Sequence, residues 1–358
     1  MDKLFVTKTF LPPLEEYLEL LKEIWETGYI TNDGPMFQRL EQDISCYTGI
    51  EHLVCMGNGT WALQLAIRAL NLTGEVITTP FTHVASSGTL VWEGCTPVYC
   101  DIDPQTLNID PTQIEQHITE KTSAILAVHV YSNPCDMEAI GSIAKKYKLK
   151  VIYDGAHAFG AEYRGQSVFA HGDISMASFN ATKGFHTVEG GALFVKSQEM
   201  EDAVRRLAYF GMDKNKVIKQ QYGTNAKLIE FCAAMGIVNL RYLPEALRKR
   251  EERYMQYLSL LQGNPNISFQ KLTDKINYSY MPVVLSSKEF KIEILDALHK
   301  KEVFPREYFH PSLEIVFKQE ISCPVAYDIA DRVICLPMSD YLSAEQVEMV
   351  CNAVNAVK

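Results

Sequence analysis

Residues 150–160 read KVIYDGAHAFG, and residues 174–191 read ISMASFNATKGFHTVEGG. Each opens as a short apolar run and meets a charged residue, Asp154 in the first and Lys183 in the second. An apolar run of this length without polar alternation is what a strand buried on both faces requires. Lys150–Tyr153 and Ile174–Phe179 are two such strands; Leu53–Cys55, Val76–Thr79, Pro97–Cys100, Ala124–His129 and Ala192–Val195 bring the set to seven. Helical stripes lie between them. Thr60–Leu72 sets Leu63, Ala66, Ile67 and Leu70 on one face, and Met137–Leu149 does the same with Ile140, Ile143, Ala144 and Tyr147. Strand–helix alternation predicts an α/β fold with a mainly parallel sheet flanked by helices, and ligands outside the carboxyl ends of its strands.

Beyond about residue 245 the texture changes. A charged helix, Leu247–Gln262, contains the run Arg248-Lys249-Arg250-Glu251-Glu252-Arg253, which reads as a solvated face. A strand at Tyr278–Leu285, an amphipathic segment at Phe290–His299, a strand at Val333–Leu336 and a helix near Ala344–Ala356 follow. The chain therefore divides into a large domain, 1–245, and a smaller C-terminal α+β domain, 246–358.

With 358 residues, 47% of them hydrophobic, the chain has enough apolar material for both. Its formal net charge of -10 argues against a broad nucleic-acid surface, which needs clustered Lys and Arg. A nucleotide-linked substrate needs only a local basic pocket. No apolar run reaches the ~20 residues of a membrane helix. The opening MDKLFVTKTFLPPLEEY is broken by charge and by Pro12-Pro13, unlike a secretory signal. The nine cysteines are scattered and never in C-x-x-C spacing, which predicts reduced, buried thiols, no metal site and a cytoplasmic protein.

Three segments carry chemistry. Asp154 ends an apolar strand, where a carboxylate serves as a turn or helix-capping residue, or as an ionised partner for a pyridinium nitrogen. Lys183 follows another buried strand 29 residues later. Such a lysine is either a surface residue or, once desolvated, a nucleophile for an aldehyde. Gly57-Asn58-Gly59-Thr60 joins a strand to a helix, and free N–H groups at a helix N-terminus suit a phosphate. An ordinary capping turn has the same spelling, and neither a P-loop nor a G-x-G-x-x-G pattern is present.

The order GNGT (57–60), IYDGAHAFG (152–160) and SFNATKGFHTVEGG (178–191) resembles the DegT-type sugar-nucleotide aminotransferases, within fold type I of the pyridoxal 5'-phosphate enzymes. The resemblance spans essentially the whole chain. It includes GYITNDGPMFQRLE (28–41), PVYCDIDPQTLNID (97–110), VHVYSNPCDMEAI (128–140), YGTNAKLIEFCAAMG (222–236), PREYFHP (305–311) and LPMSDYL (336–342).

By this resemblance Lys183 holds pyridoxal 5'-phosphate covalently and shuttles a proton, and Asp154 pairs with the pyridinium nitrogen. His157 falls beside the phenolic oxygen; Gly59, Thr60 and Ser178 hold the phosphate. Asn225 reaches the phosphate of a neighbouring subunit, which implies a homodimer with shared sites. His83 stands where the family has Phe or Trp over the ring, with Phe81 a competitor. Asn180, His186, Arg306, Tyr308 and His310 are placed toward the sugar; a hydrogen-bonded loop histidine is the equal alternative for His186, and a purely structural role for the segment of Arg306, Tyr308, Phe309 and His310.

Within the family, TTPFTHVASS (78–87), SNPCD (132–136), DGAHAFG (154–160) and YFHP (308–311) are most similar to enzymes acting on dTDP-4-keto-6-deoxyglucose, with L-glutamate as amino donor. Enzymes that aminate carbon 3 share much of the spelling and stand as the alternative. Related dehydratases carry His at the lysine position, and Lys183 speaks against them. A non-catalytic regulator of the same fold is the remaining class, and intact Asp154 and Lys183 speak against it.

Overall fold

All seven apolar runs are strands of one sheet. The computed structural model describes residues 3–220, 222–320 and 322–357. A two-residue strand, β1 (Leu4–Phe5), precedes β2 (Leu53–Met56), β3 (Glu75–Thr78), β4 (Thr96–Tyr99), β5 (Thr122–Val128) and β6 (Lys150–Asp154). A small hairpin of β7 (Glu162–Tyr163) and β8 (Gln166–Ser167) then leads to β9 (Ile174–Ser178) and β10 (Gly191–Val195).

The main sheet runs β2-β10-β9-β6-β5-β3-β4. All its neighbours are parallel except β10, which lies antiparallel between β2 and β9. Its central strands are buried along nearly their whole length, which accounts for the missing polar alternation. Since β5, β6 and β9 are parallel neighbours, their carboxyl ends open on one edge. The register sets Asp154 opposite Met176, so Asp154 and Ser178 leave the sheet side by side.

Helix starts follow their caps. Asn58 accepts from Trp61 N–H at the start of Gly59–Ala69, Asp136 caps Met137–Tyr147, and Ser197 caps Gln198–Ala208. At these three starts the chain enters the helix with its first N–H groups satisfied locally or directed at the site edge.

The C-terminal part has its own antiparallel sheet. β11 (Ile267–Phe269) pairs with β12 (Met281–Leu285), while β13 (Val303–Phe304) pairs in parallel with β1; β14 (Val333–Leu336) completes the order β11-β12-β14. Helices Lys288–His299 and Ala344–Asn355 cover it, with Ile294, Leu298, Val347 and Val350 fully buried.

Residues 245 and 246 lie inside a continuous helix, Glu230–Leu261, just past Pro244. The basic run on that helix is not wholly solvated, which corrects the sequence reading. Arg248 pairs with Glu245 and Glu252 at the surface, but Arg250 points inward and is buried.

Seven of the nine cysteines are buried and all nine thiols are free. Among the described residues no helix is long and apolar enough to cross a membrane.

Candidate active site

At the carboxyl edge of β6 and β9 lies a cavity of about 310 Å³. Asp154, Lys183, Gly59, Thr60, His83, His157, Ser178, Asn180 and Tyr308 all line it. Nine of the thirteen residues singled out in the sequence thus meet at one place.

Asp154 is the last residue of β6 and is 4% exposed. Its Oδ1 accepts the Ala156 N–H at 3.0 Å, and its Oδ2 accepts the Ser86 hydroxyl at 2.8 Å. Ser86 is itself 2.9 Å from the Thr82 hydroxyl. Both carboxylate oxygens are therefore fixed, and the orientation comes from helix Val84–Trp92 as well as from the strand.

Lys183 lies on the turn after β9, where Lys183 N–H donates to the Asn180 carbonyl at 2.8 Å. Burial pulls its amine down to about 8, against the opposing attraction of Asp154. Near neutral pH an appreciable fraction is then uncharged and nucleophilic. Beside it, Asn180 is held by Glu189, which accepts from its amide at 2.8 Å, and by Thr182, which donates to its carbonyl oxygen.

His157 is buried, with its ring parallel to Phe309 at 5.6 Å. Burial, then the charges of Lys183 and His83, holds its pKa well below the ordinary histidine value. Its Nδ1 accepts the Tyr131 N–H at 3.3 Å, which assigns the ring proton to Nε2. His157 is a neutral donor into the cavity.

His83 caps helix Val84–Trp92, with Nδ1 accepting the Ala85 N–H at 3.2 Å. Its pKa is lowered by burial and by Lys183, with Asp154 opposing. Phe81 is 0% exposed and packs edge-on against Tyr131 and Phe309, behind the cavity wall. Of the two residues His83 is the one that borders the cavity.

The opposite end is the first turn of helix Gly59–Ala69. A Cβ on Gly59 would stand 2.9 Å from the Ser178 Cβ, so the absence of a side chain there leaves an open cradle. The Gly59 and Thr60 N–H groups begin the helix and take no partner within it.

Four expected residues lie elsewhere. His186 is buried, with Nε2 at 2.7 Å from the Phe10 carbonyl and Nδ1 accepting from Val188 N–H. It ties the lysine turn to the N-terminal segment and does not face the cavity. His310 Nδ1 stands 3.2 Å from Asp331, turned away from the cavity by that carboxylate. Arg306 is exposed beside the cavity, with Nη1 donating to the Tyr308 hydroxyl at 3.2 Å. Asn225 is exposed on the strap after helix Gln198–Ala208, bridged to Tyr209.

Sequence reasoning missed Ser86, Tyr280 and Glu189, which also line the cavity; Phe309, from the PREYFHP segment, lines it too. Ser86 had a signal, because it stands three residues after His83 on one helix face. Tyr280 had none. It precedes β12 and reaches the cavity only because the C-terminal sheet docks there.

The model of the family described as DegT/DnrJ/EryC1/StrS aminotransferase matches residues 14–355. The dTDP-4-amino-4,6-dideoxy-D-glucose transaminase of Shigella dysenteriae is 42% identical over 100% of both chains. The protein of that name from Escherichia coli is 36% identical, over 96% of this chain and 95% of its own. Among solved structures, DesI in the presence of its TDP-sugar product superposes with a TM-score of 0.94 at 29% identity, covering 99% of this chain and 93% of DesI. NtdA from Bacillus subtilis with the bound cofactor PMP gives 0.88 at 28% identity, over 96% and 81%. This chain belongs to the DegT/DnrJ/EryC1/StrS aminotransferase family.

Proposed function

We propose that this family member transfers an amino group from L-glutamate to dTDP-4-keto-6-deoxy-D-glucose, giving dTDP-4-amino-4,6-dideoxy-D-glucose, and does so as a homodimer. It is a pyridoxal 5'-phosphate-dependent sugar-nucleotide aminotransferase. The observation that carries the reading is the meeting of Asp154, Lys183 and a helix N-terminus around one cavity.

The residues fit the cofactor. A buried amine with its pKa near 8 suits an aldehyde, and the Gly59 cradle at a helix N-terminus suits a phosphate. When bound, pyridoxal 5'-phosphate supplies an aldehyde conjugated to a protonated pyridine, a sink for the electron pair released at an amino-bearing carbon.

The chain's own groups do the rest. Lys183 Nζ would hold the aldehyde, and its free amine would be the group placed to accept and return a proton. The Asp154 carboxylate would accept the pyridine N–H, and His157 would offer its Nε2–H to the phenolic oxygen. Gly59, Thr60 and Ser178 hold the phosphate, joined by Asn225 from a second copy. His83, which borders the cavity, would cover the ring. Asn180 and Tyr308 face the sugar, and the Arg306 guanidinium suits a diphosphate.

Dimerisation is supported by large apolar side chains left in solvent, notably Trp25 at 74%, Trp92 at 79% and Ile218 at 71% exposure. The choice of carbon 4 rests on the 42% identical, full-length Shigella relative.

Incubating the purified protein with glutamate and each keto sugar, followed by NMR of the product, tests the reading. A 4-amino product with matching 2-oxoglutarate is the expected result. A 3-amino product, or turnover only with another donor, would overturn it.

A further inference from the structure

The turn that carries Lys183 is held from outside the main sheet. Thr9 Oγ1 donates to the Ala181 carbonyl at 2.9 Å, and the His186 ring meets the Phe10 carbonyl at 2.7 Å. The third tie is the most buried. Arg250 Nη1 donates to the Gly184 carbonyl at 3.0 Å, one residue past the lysine, while Nη2 pairs with Asp340 at 3.1 Å. Both side chains of that pair are only 6% exposed.

The elements involved are distant in sequence. Arg250 is on helix Glu230–Leu261, and Asp340 is on the loop after β14. The same helix grips that loop again through the Tyr257 hydroxyl, which donates to the Pro337 carbonyl at 3.0 Å. Position 184 is fitted to the arrangement. A Cβ there would stand 2.3 Å from Ser279 Oγ and 2.8 Å from Arg250 Nη1, so only glycine lets the guanidinium reach the backbone.

A buried ion pair is by itself a poor stabiliser, because desolvation offsets the attraction. Its placement against the lysine turn gives it another use. We propose that Arg250 and Asp340 are positioning residues for Lys183, fixing the carrier turn so that Nζ stands correctly against the cofactor aldehyde. Arg250 uses two faces of its fork, one for Asp340 and one for Gly184, so the C-terminal sheet sets the placement of a residue carried by the main sheet. The proposal rests on the reading of Lys183 as the cofactor anchor.

The test uses the full-length protein stripped of cofactor and supplied with pyridoxal 5'-phosphate. Two spectroscopic quantities are read: the rate at which the visible band grows, and the pH midpoint of that band. Lys183 shares its cavity with Asp154, His83, His157 and Glu189, and none of these is altered.

The double substitution Arg250→Met with Asp340→Leu removes the charges together, which commonly preserves stability. Band growth should slow about tenfold, the size of one lost charge-assisted hydrogen bond. The midpoint should move by about one pH unit. Arg250→Lys keeps the charge but lacks the fork, and should show the same changes in smaller measure.

Wild-type rate and midpoint in a folded double variant overturn the proposal. If the double variant does not fold, wild-type values in Arg250→Lys overturn it instead. A visible band that survives Lys183→Ala would sink the parent reading, whatever the Arg250 variants show.

Discussion

The two walls of the cavity are built differently. One is made of strand ends and a helix start: Asp154, Ser178, Gly59 and Thr60 leave the main sheet in fixed register. The other is made of Tyr280, Tyr308 and Phe309, brought in by the C-terminal sheet and the segment after β13. Backbone on the first wall is set by β-sheet hydrogen bonds. On the second it depends on docking, including the Tyr131 hydroxyl donating to the Tyr308 carbonyl. The first wall suits a cofactor common to a family, and the second suits a substrate that varies within it.

Substitutions can break that division of labour. The largest effect should come from Lys183→Ala, which removes the proposed anchor and proton carrier. Turnover should fall on the order of ten-thousand-fold with loss of the visible band. Next is Asp154→Asn, which removes the charge proposed to face the pyridine nitrogen; its amide oxygen can keep the Ala156 N–H, while its amide N–H donates to the Ser86 hydroxyl and reverses that bond. A loss of about a hundredfold in kcat is expected, from the cost of breaking a buried charged hydrogen bond. If Asp154→Asn instead raised only the KM for the sugar nucleotide, the assignment of the two walls would be reversed.

The pH dependence of cofactor capture sharpens the first wall. The Lys183 pKa lies at about 8, lowered from the ordinary lysine value by burial. The reactive form is the free amine, so capture of pyridoxal 5'-phosphate by stripped protein should rise with pH up to about 8 and level off above it. Stopped-flow absorbance reads this directly. A rise continuing unbroken to the ordinary lysine range would show that the amine is not desolvated.

The smallest effect belongs to the second wall. Tyr280→Phe removes one hydroxyl and should raise the sugar-nucleotide KM by up to about tenfold. The half-reaction with glutamate, followed by absorbance, should keep its wild-type rate. An equal loss in both half-reactions would mean that Tyr280 serves the cofactor.

The same contrast explains what the sequence disclosed. The seven strands could be read to within two residues, the central ones because burial on both faces leaves no polar alternation to confuse them. The meeting of an apolar run with a charge marked Asp154 and Lys183 as candidates, and only the motifs taken together, through the family resemblance, gave them roles. Tyr280 is one of 18 tyrosines, and nothing local separates it from Tyr257, whose hydroxyl is spent on the Pro337 carbonyl. His186 and His310 do not line the cavity for a related reason. Their neighbours in sequence do not decide which way a loop histidine turns; Phe10 and Asp331, far along the chain, do. Arg250 hid in a run of charges, and only its packing against Gly184 and Asp340 sets it apart from Arg248.

The reversed strand β10 has a consequence for the chain as it is made. Met56 pairs with Gly191, so β2 has no neighbour in the sheet until the ribosome has passed residue 195. At ordinary elongation speeds that wait is on the order of ten seconds. Throughout it the Leu53–Met56 edge, four apolar residues in a row, is open to pairing with other nascent chains. Slowing elongation between residues 56 and 191 should therefore cost soluble yield, whereas a pause once β10 has emerged from the ribosome should not.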